Sequence, residues 1–319
     1  MKSISAIILL LLSMTSFSQV INEICPSNVD NFENEEEGFT DWLELWNNTG
    51  ADLSLSDYYI TDDRSDPTKW TVEADDPLED GDYIVISAKE LPEEDETIPF
   101  SFKRGGGNVY LVNSAEEFID SIIYPQLQPN DSYGRYADKW FYFNSPSPEA
   151  INTTSTGFKG YANPPQFNRV SGQYNKGTNI TLHTPNDTEA IYYSLNGTNP
   201  IDANLYSVPI ILQKTSSIRA VSVADSLIPS PAAFSTYFVD VNHHLPIVNL
   251  NLDSLELLDE IIGIYVLGPD AEPEYPYYGA NFWKDIEIHA FYEYFDTAMV
   301  MHESLDCGVK IHGGTVSST

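Results

Sequence analysis

Between residues 21 and 124 the chain alternates apolar and polar side chains over short stretches, then breaks at Gly, Asp, Asn or Pro. The stretches are INEIC from Ile21, DWLELW from Asp41, YYITD from Tyr58, DYIVISA from Asp82, NVYLV from Asn108 and FIDSIIY from Phe118. A period of two gives a strand two distinct faces and denies a helix any continuous apolar stripe. Short strands punctuated this often pack as a sandwich or barrel. A second set follows between Pro164 and Asp240: NITLHT, AIYYSLNGTNP, SVPIIL, SSIRAVSV and STYFVD. From Leu245 the texture changes. LPIVNLNL reads as a strand, and Asp253 with Glu256 three residues on starts a short helix carrying Leu255, Leu258 and Ile262. GIYVLG from Gly263, the alternating KDIEIHAFYEYF from Lys284 to Phe295, and CGVKIHGG from Cys307 then return to strand.

The expected organisation is a leader over residues 1–18, a sandwich over 19–152, a linker over 153–163, a second sandwich over 164–240 and a partial β-rich region over 245–319. MKSISAIILLLLSMTSFSQ has the charge, apolar run and small-x-small site of a secretory signal peptide, with cleavage expected after Ser18. The apolar run is too short for a membrane span. The residues before Cys25, which include Asn22 and Glu23, do not read as a lipid-anchor signal. A chain of 319 residues exceeds what one core usually holds, so several domains are expected. A net charge of -33 argues against nucleic acid and anionic membranes, and favours solubility, cation binding or a basic partner. The two cysteines, Cys25 and Cys307, fall in different segments and are read as buried thiols rather than a bridge.

Several ordered motifs carry family resemblances. INEI and PSN at Ile21 to Asn28, DWLELWN at Asp41 to Asn47, Tyr58-Tyr59-Ile60 before Asp62-Asp63, Tyr83-Ile84-Val85 after Gly81, and SYGR at Ser132 to Arg135 resemble the lamin-tail domain family. That resemblance implies an immunoglobulin-like β-sandwich found in bacterial exported proteins. IYYSLNGTNP at Ile191 to Pro200, with Leu205-Tyr206, Ile218-Arg219-Ala220 and Pro229-Ser230 after it, resembles the accessory sandwich at the C-terminus of chitobiase and β-hexosaminidase enzymes. Asn196 stands where that family commonly has Asp, and the likeness implies an appendage rather than glycoside hydrolysis. The third segment, through Gly263 to Tyr265, the strand bearing Glu293 and IHGG at Ile311 to Gly314, resembles the lead-in of exported CotH-type spore-coat kinase proteins. No catalytic residue of that family can be carried over. The fold class expected is all-β: two immunoglobulin-like sandwiches in tandem plus a partial β-rich (α+β) C-terminal region.

Motifs that suggest chemistry are outweighed by plainer readings. IHGG lacks any G-x-S-x-G partner, so it reads as a turn rather than an oxyanion loop. RGGGN at Arg104 to Asn108 feeds a strand and not a phosphate-binding helix. The six histidines show no H-E-x-x-H spacing. For calcium, Asp30, Glu33, Glu35 and Asp41, with Asp62 and Asp63, are the candidate oxygen ligands. Carboxylate-rich loops suit that ion outside the cell, although the spacing is not that of an EF-hand and charge runs are usually solvated.

In DWLELW, Leu43 and Leu45 share one face while Trp42, Glu44 and Trp46 share the other. That second face is either an aromatic platform for a ligand such as a glycan, or a second contact surface. The lamin-tail resemblance rests on this same pattern and favours structure: Trp42 under a loop, Glu44 accepting backbone N–H groups, Asn47 setting a turn. The functional expectation is an exported or cell-surface monomer without catalytic machinery or a resident cofactor, acting as a recognition and adhesion arm for a surface protein or a glycan. The alternatives are the accessory part of an exported CotH-like kinase and a carbohydrate-binding arm of a polysaccharide-degrading system.

Overall fold

The computed structural model describes residues 21–312 apart from positions 36, 74–75, 93–95, 138, 154, 187, 202, 242–243 and 285. The leader over residues 1–18, His243, and Gly313 and Gly314 of the closing turn lie outside the described residues. The protein is nearly all β. The chain divides into two compact units, one running to Asn152 and one from Thr153 on, with residues 29–31 and 141–145 assigned to the second.

The first unit is a sandwich. Its strands are β1 (Ile21–Cys25), β2 (Asp41–Trp46), β3 (Tyr58–Thr61), β4 (Trp70–Thr71), β5 (Tyr83–Ala88), β6 (Gly107–Asn113), β7 (Phe118–Tyr124), β8 (Ser132–Tyr136) and the start of β9 (Lys139–Phe143), whose last three residues are assigned to the second unit. One sheet runs β9-β8-β1-β2-β5 and the other β4-β3-β6-β7. Leu43 and Leu45 of β2 pack with Ile60, Val109, Leu111 and Ile122 of the opposite sheet in a shared core. A bulge in β1 shifts the register between Ile21 and Glu23, so Ile21 pairs with Leu45 and Glu23 with Glu44. The extra residue lets Ile21 and Ile24 both join the core, which strict alternation forbids.

The second unit opens with another sandwich. Its main sheet contains β10 (Gly172–Tyr174), β11 (Ala190–Ser194), β12 (Asn204–Leu205), β13 (Ser216–Val223) and β14 (Ala233–Val239), in the order β10-β14-β13-β11-β12. Two short ribbons, Gln166–Phe167 with Leu182–His183 and Asn179–Ile180 with Ile210–Ile211, complete it. Ile180, Leu182, Ile210, Leu212, Ile218 and Tyr237 form its core.

A third sheet of the same unit runs β15-β16-β17, from β15 (Ile247–Leu252), β16 (Ile288–Phe295) and β17 (Met301–Val309). One face rests on the second sandwich: Phe291 stacks on Phe234 at 4.9 Å, and Phe295 meets Phe238 edge-on at 5.0 Å. The expected helix is the single turn α1 (Ser254–Leu258), and Asp253 caps it by accepting from the Leu255 N–H at 3.0 Å. GIYVLG is not the expected strand. The Ile264 and Tyr265 N–H groups donate to Glu256 and Leu257 carbonyls, which folds the segment back onto α1 and leaves no ladder to join.

Candidate functional site

The aromatic and acidic face of β2 is closed to solvent at its centre. Trp42 and Glu44 have no exposed surface, so the ligand platform suggested for Trp42, Glu44 and Trp46 is corrected. Trp42 lies against Phe32 of the preceding loop in an edge contact at 6.2 Å. Trp46 is half-buried, stacked on Tyr83 at 5.8 Å, and its indole N–H donates to the Gly81 carbonyl at 3.2 Å. Asn47 holds the adjoining turns, its amide donating to Ala51 and Leu78 carbonyls at 2.9 and 2.7 Å.

Glu44 and its cross-strand neighbour Glu23 form a buried carboxyl pair. Glu44 accepts from the Asn22 amide at 2.5 Å and from the Glu149 backbone N–H. Glu23 accepts from the Ser132 hydroxyl, and the Ser147 hydroxyl lies 3.4 Å from its other oxygen. Burial pushes the Glu23 carboxyl up to about 7, against the lowering effect of its hydroxyl partners. Burial also raises Glu44 to about 8, with the neighbouring Glu23 charge adding to the rise. The prolines of SPSP therefore mark a strap, residues 146–152, whose backbone and side chains supply the lid of this pair. Sequence spacing carries no sign of it, because Glu149 is 105 residues from Glu44.

The calcium candidates do not converge. Among the described residues no group of three or more His, Cys, Asp or Glu side chains is placed to hold a metal ion. Asp30, Glu33 and Glu35 are exposed. Asp41 accepts from the Phe102 N–H at 2.9 Å and is pushed up to about 6 by burial. Asp62 pairs with Lys69 at 2.5 Å. Asp63 accepts from the Ser65 N–H and hydroxyl, which hold its carboxyl below the usual value. A distant backbone N–H, one lysine and a local turn thus engage Asp41, Asp62 and Asp63 respectively. Cys25 is buried and free, whereas Cys307 is free but only half-buried on β17, a correction to its reading as a buried thiol.

A second buried carboxylate lies in the other unit. Glu293 of β16 accepts from the Ser171 hydroxyl and, at 3.2 Å, from the Asn249 amide, which also reaches the Thr236 hydroxyl at 2.8 Å. It ties the third sheet to the second sandwich. Nearby, Arg219 lies 5.6 Å from the centre of the Phe291 ring, and His289 contacts both Arg219, at 3.5 Å, and Asp306.

The exposed feature of this unit is the segment between α1 and β16. Tyr265, Tyr275 and Tyr278 stand 64, 76 and 58 % exposed and Trp283 39 %. Their frame is nonetheless ordered. Asn281 is buried and its amide donates to Ile261 and Gly263 carbonyls at 2.7 and 3.1 Å, while Ile264 and Ala280 are buried beside it. The Glu272 N–H donates to the Tyr278 carbonyl at 2.8 Å, and the Trp283 indole N–H to the Pro276 carbonyl at 3.0 Å. Gly279 closes the loop at φ +82°, where a Cβ would meet the Asp270 carbonyl oxygen at 2.4 Å. Sequence reasoning passes over residues 269–283 because they have no strand period. The one signal they do carry is the density of rings in EYPYYGANFW among turn residues.

Tandem immunoglobulin-like β-sandwiches, whose buried polar groups are largely spent on internal hydrogen bonds, fit a modular binding or accessory role. Residues 18–126 match the model of the Lamin Tail Domain, and residues 170–235 match that of the Chitobiase/beta-hexosaminidase C-terminal domain. No family model supports the CotH resemblance of residues 245–319. No curated protein matches the chain. No nucleic-acid-binding domain is evident, and among the described residues no helix is long and apolar enough to cross a membrane.

Proposed function

We propose that this chain is an exported, non-catalytic recognition arm that adheres to a surface protein or glycan through its third region. The observation that carries the reading is a contrast in exposure. The platform candidates Trp42 and Glu44 of the first sandwich are spent on packing, whereas exposed large apolar side chains crowd into Leu245 to Leu305. Exposed apolar surface on an ordered frame marks an interaction site rather than a core. The leader over residues 1–18 supplies the route outward.

The test is cell fractionation followed by adhesion. The chain expressed with residues 1–18 is expected outside the cytoplasm, shortened near Ser18, and bound saturably to cells of its source. Retention inside the cell, or adhesion that never saturates, would sink the proposal. A second reading, accessory part of an exported CotH-like kinase, draws on the exposed face of the third sheet, where Val248, Leu250 and Leu305 stand 61, 46 and 54 % exposed. ATP-dependent labelling of a longer product carrying these residues is its test, and absence of labelling in such a product rejects it.

A further inference from the structure

We infer that the loop between α1 and β16 is a docking surface for a basic protein segment rich in arginine, with the exposed rings of Tyr275, Tyr278 and Trp283 receiving guanidinium groups beside Glu272 and Glu274. The inference deepens the adhesion reading by naming the partner's chemistry, and it rests on that reading.

Three observations converge. The rings are exposed on a backbone already fixed by the Asn281, Glu272 and Gly279 contacts, so little ordering remains to oppose binding. Trp283 is held by its bond to Pro276, with Tyr278 6.0 Å from it at an interplanar angle of 33°. Two neighbouring rings thus present apolar surface without burying each other, as receptors for planar groups do.

The second observation is charge. No lysine or arginine occurs between Arg219 and Lys284, whereas Asp253, Glu256, Asp259, Glu260, Asp270, Glu272 and Glu274 fall in that interval. Lys284 itself is drawn to Asp270 at 3.4 Å. Arg219 acts on Asp253 and Glu256, yet the interval keeps a net negative charge, and the net charge of -33 extends it outward, which steers cations in and anions away.

The third is the choice of cation. A guanidinium is planar, weakly hydrated and able both to stack on a ring and to fork onto a carboxylate, whereas an ammonium offers only a compact charge. Within this protein the same pairing already occurs: Arg135 lies 4.5 Å from the Trp140 ring centre while pairing with Asp120 at 3.0 Å, and Arg219 sits over Phe291. The loop offers rings and carboxylates with no arginine of its own in the interval.

The test uses the full chain and four probes: a twelve-residue peptide alternating Arg and Gly, its Lys counterpart, and neutral chito-oligosaccharide and cello-oligosaccharide. Titration followed by calorimetry and Trp fluorescence at 0.15 M salt is expected to show one-to-one binding of the Arg peptide, tighter than the Lys peptide by roughly threefold or more. Tyr275→Ser with Tyr278→Ser should weaken the Arg peptide about tenfold. Glu272→Gln with Glu274→Gln should weaken it mainly at low salt. Glu79→Gln with Glu96→Gln, exposed carboxylates of the first unit, should change nothing. Melting of each variant by circular dichroism verifies the fold.

Equal binding by the tyrosine variant would overturn the inference, leaving only the diffuse field of the chain. So would equal loss in the Glu79 and Glu96 control. Saturable oligosaccharide binding that the tyrosine variant abolishes, with no response to the Arg peptide, would assign the surface to a glycan instead. Failure of export or adhesion in whole cells bears on the parent reading alone, because these titrations use purified protein.

Discussion

Two stretches of this chain are made of the same materials and put to opposite use. In DWLELW, Trp42 and Glu44 lie without exposed surface beneath a loop and a strap, and the two leucines fill the core behind them. In EYPYYGANFW, Tyr275, Tyr278 and Trp283 stand in solvent and the buried residues are Ala280 and Asn281. The difference lies in what the backbone does with its hydrogen bonds. A central strand is saturated on both edges by β1 and β5, so its two faces are free to collect cover. A loop must satisfy its amides internally, and a buried asparagine does that here while the rings are left outside.

The largest test of this contrast is truncation. Trp42→Ala is expected to cost about 3–5 kcal/mol in urea unfolding, since it empties a fully covered site, whereas Tyr275→Ser should lie within about 0.5 kcal/mol of the parent. A similar cost at both positions would mean that the loop rings carry stability and not contact. Next in size comes Glu44→Ala, expected to cost about 1–3 kcal/mol because the Asn22 amide and the Glu149 N–H are left buried without an acceptor.

The carboxyl pair also predicts a pH dependence. Glu23 and Glu44 are held at about 7 and about 8, above their ordinary 4.5, so the folded chain binds protons that the unfolded chain has released. Their stabilisation is complete below about pH 4.5 and is lost as pH rises through 7 and 8. Urea midpoints should therefore fall between pH 5 and pH 9, and Glu44→Gln should flatten the part above pH 7. A midpoint independent of pH over that range would show that the pair is hydrated in solution. A loss of about 1–2 kcal/mol is expected for Asn281→Ala, which frees the Ile261 and Gly263 carbonyls and should loosen the aromatic loop. Hydrogen exchange of the Glu272 amide reads that loosening; unchanged protection would mean that the frame does not depend on Asn281.

Much of the fold is legible in the order of the residues alone. The alternations from Ile21 to Tyr124 appear as β1, β2, β3, β5, β6 and β7 because each carries its own period and its own turn residues. GIYVLG misleads, since apolar content without alternation fits a strand or a packed turn equally, and the Glu256 and Leu257 carbonyls decide for the turn. The site is less legible. The acidic residues suggested for calcium are picked out by residue type, while Asp41 is engaged by the Phe102 N–H from 61 residues away, a partner that no spacing rule names.

What the sequence determined by itself is local: a period of two, breakers at regular intervals, and an uncompensated negative charge, all of which act over a few residues or over the whole chain at once. What only tertiary structure decided is which second face is covered. The strap at 146–152 closes over Glu23 and Glu44, a bulge turns Ile21 and Ile24 the same way, and Asn281 fixes a loop that leaves its rings in water. Burial is a property of pairs of segments brought together from 18 to 105 residues apart, and no property of either segment alone contains it.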